Sequence, residues 1–466
     1  MEKHVDVAII GAGSAGLYAW AQVRRKTDSY VLIDGGELGT TCSRVGCMPS
    51  KALIQVADDF HRRSLFDREG IEGSDVLKVN IPDALEHVQD LRDLFVDKVL
   101  SSTTDTLGDK LIEENARFLE PGLLEAGEHR IRADRIIIAT GSSPVVPEAW
   151  RVFGDRIVTT DEFFELEELP DSMAVIGLGV IGLELGQALA RLGVGVTGID
   201  QLERIASLDD SIINQAAIDI IGREFPLWLG QPAKVEEADG DRLRVSVGDR
   251  SVVVDKILAS MGRRPNLAGL DLAAAGIELD DKGLPRFDRN TMQIEDKPVF
   301  IAGDVDGERP LLHEAGDEGR IAGFNAVSDT PVAFKRRVPL SITFTDPNIV
   351  LVGETIDRLD PDTTLTAGVR FGPLGRALIM GRNKGELRLY ADRRDGRLLG
   401  AAMVAPRGEH LGHLLALAIQ QRLTALQLLQ MPFYHPVIEE ALQPVLRELV
   451  GACDHPPEGP MDLQPL

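Results

Sequence analysis

The chain has 466 residues, with 74 acidic and 50 basic side chains and a net charge of −24. That balance argues against nucleic acid and anionic membrane surfaces as partners, since both are held by clustered Lys and Arg, and it suits a soluble surface. A hydrophobic content of 44% and a charged content of 27% describe an ordinary globular chain long enough for two to four domains, and three cysteines exclude a secreted disulfide scaffold.

The opening stretch MEKHVDVAIIGAG runs directly into a strand and lacks the charged, apolar and small-residue regions of a signal peptide, so a cytoplasmic protein is expected. The apolar run VDVAII (5–10) is followed by GAGSAG (11–16), a helical pattern and a second strand that ends at Asp34. Residues 173–200 repeat this plan: MAVIG leads into GLGVIG (177–182), a helix follows, and VGVTGID ends at Asp200. First glycine and acid are 23 positions apart in both copies. This is the βαβ dinucleotide fingerprint, twice. Gly11 and Gly177 permit the tight turn, Gly13 and Gly179 let the backbone approach a pyrophosphate, and Gly16 and Gly182 let helix and strand pack closely. Each helix start offers unpaired N–H groups to phosphate. Asp34 and Asp200 are placed to accept ribose hydroxyls. One such motif is weak, and an ordinary strand–turn–helix explains it; two in register suggest a flavin and a nicotinamide. The region 173–199 is apolar, but Glu184, Arg191 and dense glycines exclude a membrane span.

Between the copies lies GTTCSRVGCMPSK (39–51), which holds Cys42 and Cys47. On a regular helix, five residues of separation give a rise of about 7.5 Å and a turn of roughly 140°, too far and wrongly aimed for a disulfide. A bridge therefore requires distorted backbone; Gly46 supplies freedom, and Pro49 belongs in the first turn of a following helix. Spacing alone leaves a labile redox pair and two free core thiols equally matched. A dithiol must exchange electrons with a flavin, so its position after the first copy assigns FAD there and the nicotinamide to the second. Asp200 favours NAD, since a 2′-phosphate would meet negative charge, although Arg204 stands close by.

Further on, RIIIATGSSP (135–144) and KILASMGRRPN (256–266) read as strands followed by small-residue turns, and PVFIAGDV (298–305) as a buried strand ending at Gly303 and Asp304. From about residue 338 the chain becomes short strands (SITFT, IVLVGE, GELRLYA, LLGAAMVA) and then helices (EHLGHLLALAIQQ, VIEEALQPVLREL), an α+β unit without a fingerprint. The expected fold class is α/β, with two Rossmann-like dinucleotide-binding domains and an α+β C-terminal dimerisation domain.

Together GAGSAG, GTTCSRVGCMPSK, ATG (139–141), GLGVIGLELG (177–186), IAGDV (301–305), TFTDPNIVLVG (343–353) and FYHPVIEEAL (433–442) resemble the pyridine nucleotide–disulfide oxidoreductase family, and within it look like dihydrolipoyl dehydrogenases. The resemblance covers the chain to about residue 450. It implies a homodimer, with residues 1–149 and 267–337 binding FAD (with the central segment), 150–266 binding NAD and 338–450 forming the interface; the Pro-rich composition of 451–466 leads one to expect a mobile tail. It implies that Cys42 is the interchange thiol, that Cys47 is the thiolate against the flavin, that Lys51 approaches the flavin and pairs with Glu184, and that His435, oriented by Glu440, is the acid–base reaching the other subunit. Glu439 is the alternative orienting group. The FAD set implied is Gly11, Gly13, Gly16, Asp34, Thr41, Lys51, Thr140, Gly141 and Asp304; the NAD set is Gly177, Gly179, Gly182, Asp200 and Gly262. The expected reaction is oxidation of dihydrolipoamide or a lipoyl-bearing protein by NAD. The alternative is reduction of another disulfide, such as glutathione disulfide; a flavoprotein kept only for docking is disfavoured by the intact redox residues. Ser43 and Arg44 depart from the family's usual pattern, and Arg44 is expected to be solvated. Unlike mercuric reductases and large thioredoxin reductases, the chain has no C-terminal redox pair, and mercuric reductases lack the histidine present here as His435.

Overall fold

A computed structural model of the chain describes residues 2–457 and 459–464. The first fingerprint forms strand Glu2–Ile10, helix Ser14–Val23 and strand Tyr30–Ile33. The two strands pair in parallel, Val7 against Tyr30 and Ile10 against Ile33. Their buried parts, Val7–Ile10 and Tyr30–Ile33, are apolar because both faces are covered: Val7 and Ile9 pack with Ala15, Ala19 and Ala322 of the helices, and Ala8 and Ile10 with Phe118, Leu124 and Leu270 on the other side. Among the described residues their sheet has seven strands, and one of them, Val299–Ile301, returns from late in the chain to pair with His129–Ile138. Helix Leu312–Ala326 then packs along helix Ser14–Val23, where the carbonyls of Ala15 and Ala19 sit so close that Gly319 and Gly323 have no room for a side chain.

The second fingerprint, strand Ser172–Ile176, helix Val180–Arg191 and strand Gly195–Asp200, is the centre of a separate five-stranded parallel sheet. A short antiparallel ribbon, Ser142–Pro144 against Arg263–Pro265, joins the two sheets. The C-terminal unit is a five-stranded antiparallel sheet backed by helices Gly408–Gln420 and Leu442–Ala452. It includes a strand, Thr364–Arg370, that the apolar-run reading missed; it is an edge strand with a weak pattern. The folded chain is thus mixed α/β, with two dinucleotide-type sheets and a third unit.

One continuous core ties these units together. It runs from Leu53 and Ala57 of helix Cys47–His61, through Leu183, Leu185 and Leu189 of helix Val180–Arg191, to Ile349, Tyr390 and Val404 of the C-terminal sheet. Helix Cys47–His61 therefore lies where three units meet. Among the described residues no helix is long and apolar enough to cross a membrane.

Candidate active site

The backbone around the cysteines is broken, as their spacing requires of a pair that meets. Thr40, at φ 67°, caps a single helical turn, Thr41–Arg44, by accepting from the Ser43 N–H. The chain then folds back at Gly46, where a Cβ would stand 2.9 Å from the Thr41 carbonyl oxygen and 3.2 Å from the Cys42 Cα. Only glycine fits that approach. Helix Cys47–His61 begins on the far side, with Cys47 its first residue and Pro49 in its first turn.

The two sulfurs are free thiols in contact, Cys42 donating to Cys47. The hydrogen bond from Cys42 is the main cause that lowers the Cys47 thiol to about 7, with burial opposing it and the Lys51 ammonium assisting. The helix N-terminus favours a thiolate in the same way. Cys42 is pushed the other way, first by that hydrogen bond and then by burial.

Lys51 donates to Glu184 Oε2 at 2.7 Å, and its ammonium lies 4.8 Å from the centre of the Phe344 ring. Glu184 is only 3% exposed; its second oxygen accepts from the Phe344 N–H at 2.8 Å. A buried carboxylate with both oxygens satisfied is stable, whereas loss of either partner leaves an uncompensated charge.

The two fingerprints are superimposable in their hydrogen bonds. Asp34 accepts from the N–H groups of Ala12 and Gly36, and Asp200 from those of Leu178 and Leu202, the same offsets in each copy. Each oxygen keeps a lone pair for a ribose. A Cβ at Gly16 would strike the carbonyl of Gly11, and one at Gly182 the carbonyl of Gly177. At Gly13 and Gly179, by contrast, no heavy atom lies within 4 Å, and the same is true at Gly141 and Gly262. These open cradles at two helix starts and at the ends of the neighbouring strands fit two dinucleotides. Arg204 is ion-paired with Asp209 and leaves Asp200 as the charge at the end of its strand.

Asp304 accepts from the Ser142 hydroxyl at 2.8 Å, and Arg263 holds that serine. Thr41 is exposed at the start of its turn, and the Thr140 hydroxyl donates to the Asn266 carbonyl at 2.7 Å. Arg44 is only partly solvated: it folds onto the carboxylate and carbonyl of the exposed Glu37. His435 meets Glu440 at 2.8 Å through Nδ1; the second Glu440 oxygen accepts from the Val437 N–H, so Glu440, not Glu439, orients the ring. The imidazole first and the Val437 N–H second hold the Glu440 carboxyl low. The His435 side chain is 82% exposed, and among the described residues no hydrogen bond joins it to either cysteine. In the tail, Asp462 pairs with Arg447 at 2.5 Å.

Two groups were not read from the sequence. Gln187 and Arg191 follow Glu184 on one buried stripe of its helix; the only signal was three polar residues, at i, i+3 and i+7, in an otherwise apolar face. Asp306, 2% exposed, faces Glu318, which in turn binds the Gly303 N–H and Arg336. Burial chiefly, and Glu318 next, push Asp306 up to about 8. The folded carboxyl thus keeps a proton that the unfolded chain releases near pH 4. Its contribution to stability is full below about pH 4 and is lost as pH rises towards 8. Asp306→Asn is expected to raise Tm at pH 8 by about 2–4 °C, and by less at pH 5. Calorimetry at both pH values checks this; an equal change at both contradicts it.

Comparison with known proteins follows the same lines. Residues 5–319 match the family model described as pyridine nucleotide-disulphide oxidoreductase, and residues 339–446 match its dimerisation domain. The dihydrolipoyl dehydrogenase of Haloferax volcanii is 30% identical, covering 97% of each chain. A mercuric reductase of Bacillus cereus is 28% identical over 90% of this chain and 67% of its own length. Among solved structures, the HOCl-induced flavoprotein disulfide reductase RclA of Escherichia coli superimposes with a TM-score of 0.81 at 21% identity, covering 95% of this chain and 99% of its own, a likeness of fold.

Proposed function

The chain belongs to the pyridine nucleotide-disulphide oxidoreductase family, whose members depend on FAD and use NAD(P), and on that premise we propose that it oxidises protein-bound dihydrolipoyl groups with NAD. The observation that carries this reading is the His435–Glu440 pair, a held and exposed base in a chain that also presents a thiol–thiolate couple. A dithiol substrate must lose protons to react, and an imidazole fixed by a carboxylate removes them near neutral pH.

In this reading residues 1–149 and 267–337 hold FAD, residues 150–266 hold NAD, residues 338–450 form a homodimer and residues 451–466 are a tail. His435 of the partner subunit takes the proton of one substrate thiol. The resulting thiolate attacks Cys42 Sγ of the oxidised pair, the Cys42–Cys47 bond breaks, and Cys47 leaves as a thiolate. The second substrate thiol then closes the substrate disulfide and releases Cys42, which returns to the thiol form that donates to Cys47. Lys51 and Glu184 keep a positive charge beside Cys47 as its negative charge develops. When bound, FAD supplies the two-electron step between the thiols and the nicotinamide. The balance is one dithiol and NAD⁺ giving one disulfide, NADH and a proton.

NADH formation from dihydrolipoamide, followed at 340 nm, tests the proposal, with NADP in parallel. Turnover with NAD at least about tenfold faster than with NADP is expected, because Asp200 opposes a 2′-phosphate. If dihydrolipoamide is inert while NADH still bleaches the flavin, the substrate is another disulfide, and a panel that includes glutathione disulfide identifies it.

A further inference from the structure

Two ion pairs join the helix that starts with Cys47 to the helix that starts beside Gly179. Lys51 meets Glu184, and Asp58 meets Arg191. Both members of the second pair lie seven residues beyond the first, so the bolts are roughly 10 Å apart along parallel helices. Their polarity is reversed. One helix presents a cation and then an anion, and the other an anion and then a cation. Sliding one helix past the other would therefore leave charges unpaired or set like against like, which is costly in a buried contact.

Arg191 is built for this. Its side chain is 3% exposed, and its fork grips Glu224 through Nε and Nη2 at 2.7 and 2.9 Å, which leaves Nη1 for Asp58. Nη2 also reaches the Asp346 carbonyl at 3.3 Å. Gln187, between the two bolts, accepts from the Asp346 N–H and donates to its carbonyl. The same stripe thus anchors segment 344–346 of the C-terminal unit, whose Phe344 packs on Lys51. Asp58 is the one residue of the Cys47 helix that Arg191 binds among the described residues.

We propose that Asp58 and Arg191 are positioning residues that fix the axial register of the Cys47 helix and so hold Lys51 beside the Cys47 sulfur. This rests on the reading of Cys47 as the thiolate of the pair. The ionisable groups facing Cys47 are Cys42, Lys51 and Glu184, so its acidity reports the placement of Lys51.

The test uses the FAD-loaded Cys42→Ser protein and the pH profile of iodoacetamide alkylation, read by peptide mass at Cys47 and at Cys453. Asp58→Asn preserves shape. Removing a remote anion about 16 Å along the helix would, by charge alone, ease thiolate formation slightly. Loss of register predicts the opposite: a higher midpoint and about threefold slower alkylation of Cys47 at pH 7. With Lys51→Gln already present, Asp58→Asn should add nothing, and the Cys453 profile should stay fixed. An unchanged or lowered midpoint overturns the proposal. So does the same shift with Lys51→Gln, or a parallel change at Cys453, which would mean general loosening. A parent whose Cys47 titrates like an ordinary thiol removes the thiolate reading itself, and the positioning role with it.

Discussion

His435→Gln is expected to lower dihydrolipoamide turnover by about 100- to 10,000-fold while leaving reduction of a quinone by NADH close to that of the parent. Glutamine keeps a hydrogen bond to Glu440 and nearly the same reach, but it cannot take a proton. Electron flow from NADH to a quinone needs the nicotinamide and flavin sites and neither a substrate thiol nor a base. The geometry favours a specific loss. Glu440 is fixed at both oxygens, by the imidazole and by the Val437 N–H, so the ring's orientation survives removal of little else. An imidazole 82% exposed in the single chain, yet held this way, lies within the part that matches the dimerisation domain, residues 339–446. Parallel measurement of kcat in the two assays decides the point. Equal loss of both would refute the assigned role.

Substitution at two glycines three residues apart is expected to give opposite phenotypes. Gly182→Ala drives a methyl group into the Gly177 carbonyl and against the Ser260 hydroxyl, both within the packed turn. Backbone cannot yield as a flexible side chain can, so a stability loss of about 3 kcal/mol or more is expected. Gly179→Ala meets no heavy atom within 4 Å and should fold with unchanged Tm. Its methyl group enters the space where the nicotinamide pyrophosphate would approach the helix start, so the KM for NADH should rise at least about tenfold, roughly 1.4 kcal/mol. Thermal unfolding beside NADH-dependent kinetics separates the two. A destabilised Gly179→Ala, or one with unaltered nicotinamide affinity, would remove the second cradle from its assigned use.

Features set by close neighbours in the chain could mostly be read from the amino-acid order, although the turn of Arg44 onto Glu37, seven residues away, could not. The fingerprints were legible because turn, close approach and helix start fall within six residues, and the acid follows at a fixed offset. The cysteine spacing implied a broken backbone near Gly46 for any pair that meets, whereas Glu440 as the partner of His435 came from the family resemblance, with Glu439 left open. Contacts between residues far apart could not be read from local pattern, and the Lys51–Glu184 pair was reached only through the family resemblance. Lys51 and Glu184 are 133 positions apart, as are Asp58 and Arg191, and the Phe344 N–H lies 160 from Glu184. No periodicity encodes such partners; they meet because one core packs the cysteine helix, the second fingerprint helix and the C-terminal sheet together. Burial beside Glu318 keeps the proton on Asp306. Local pattern fixes which turns and helices form; burial and charge pairing between distant segments fix what their side chains are able to do.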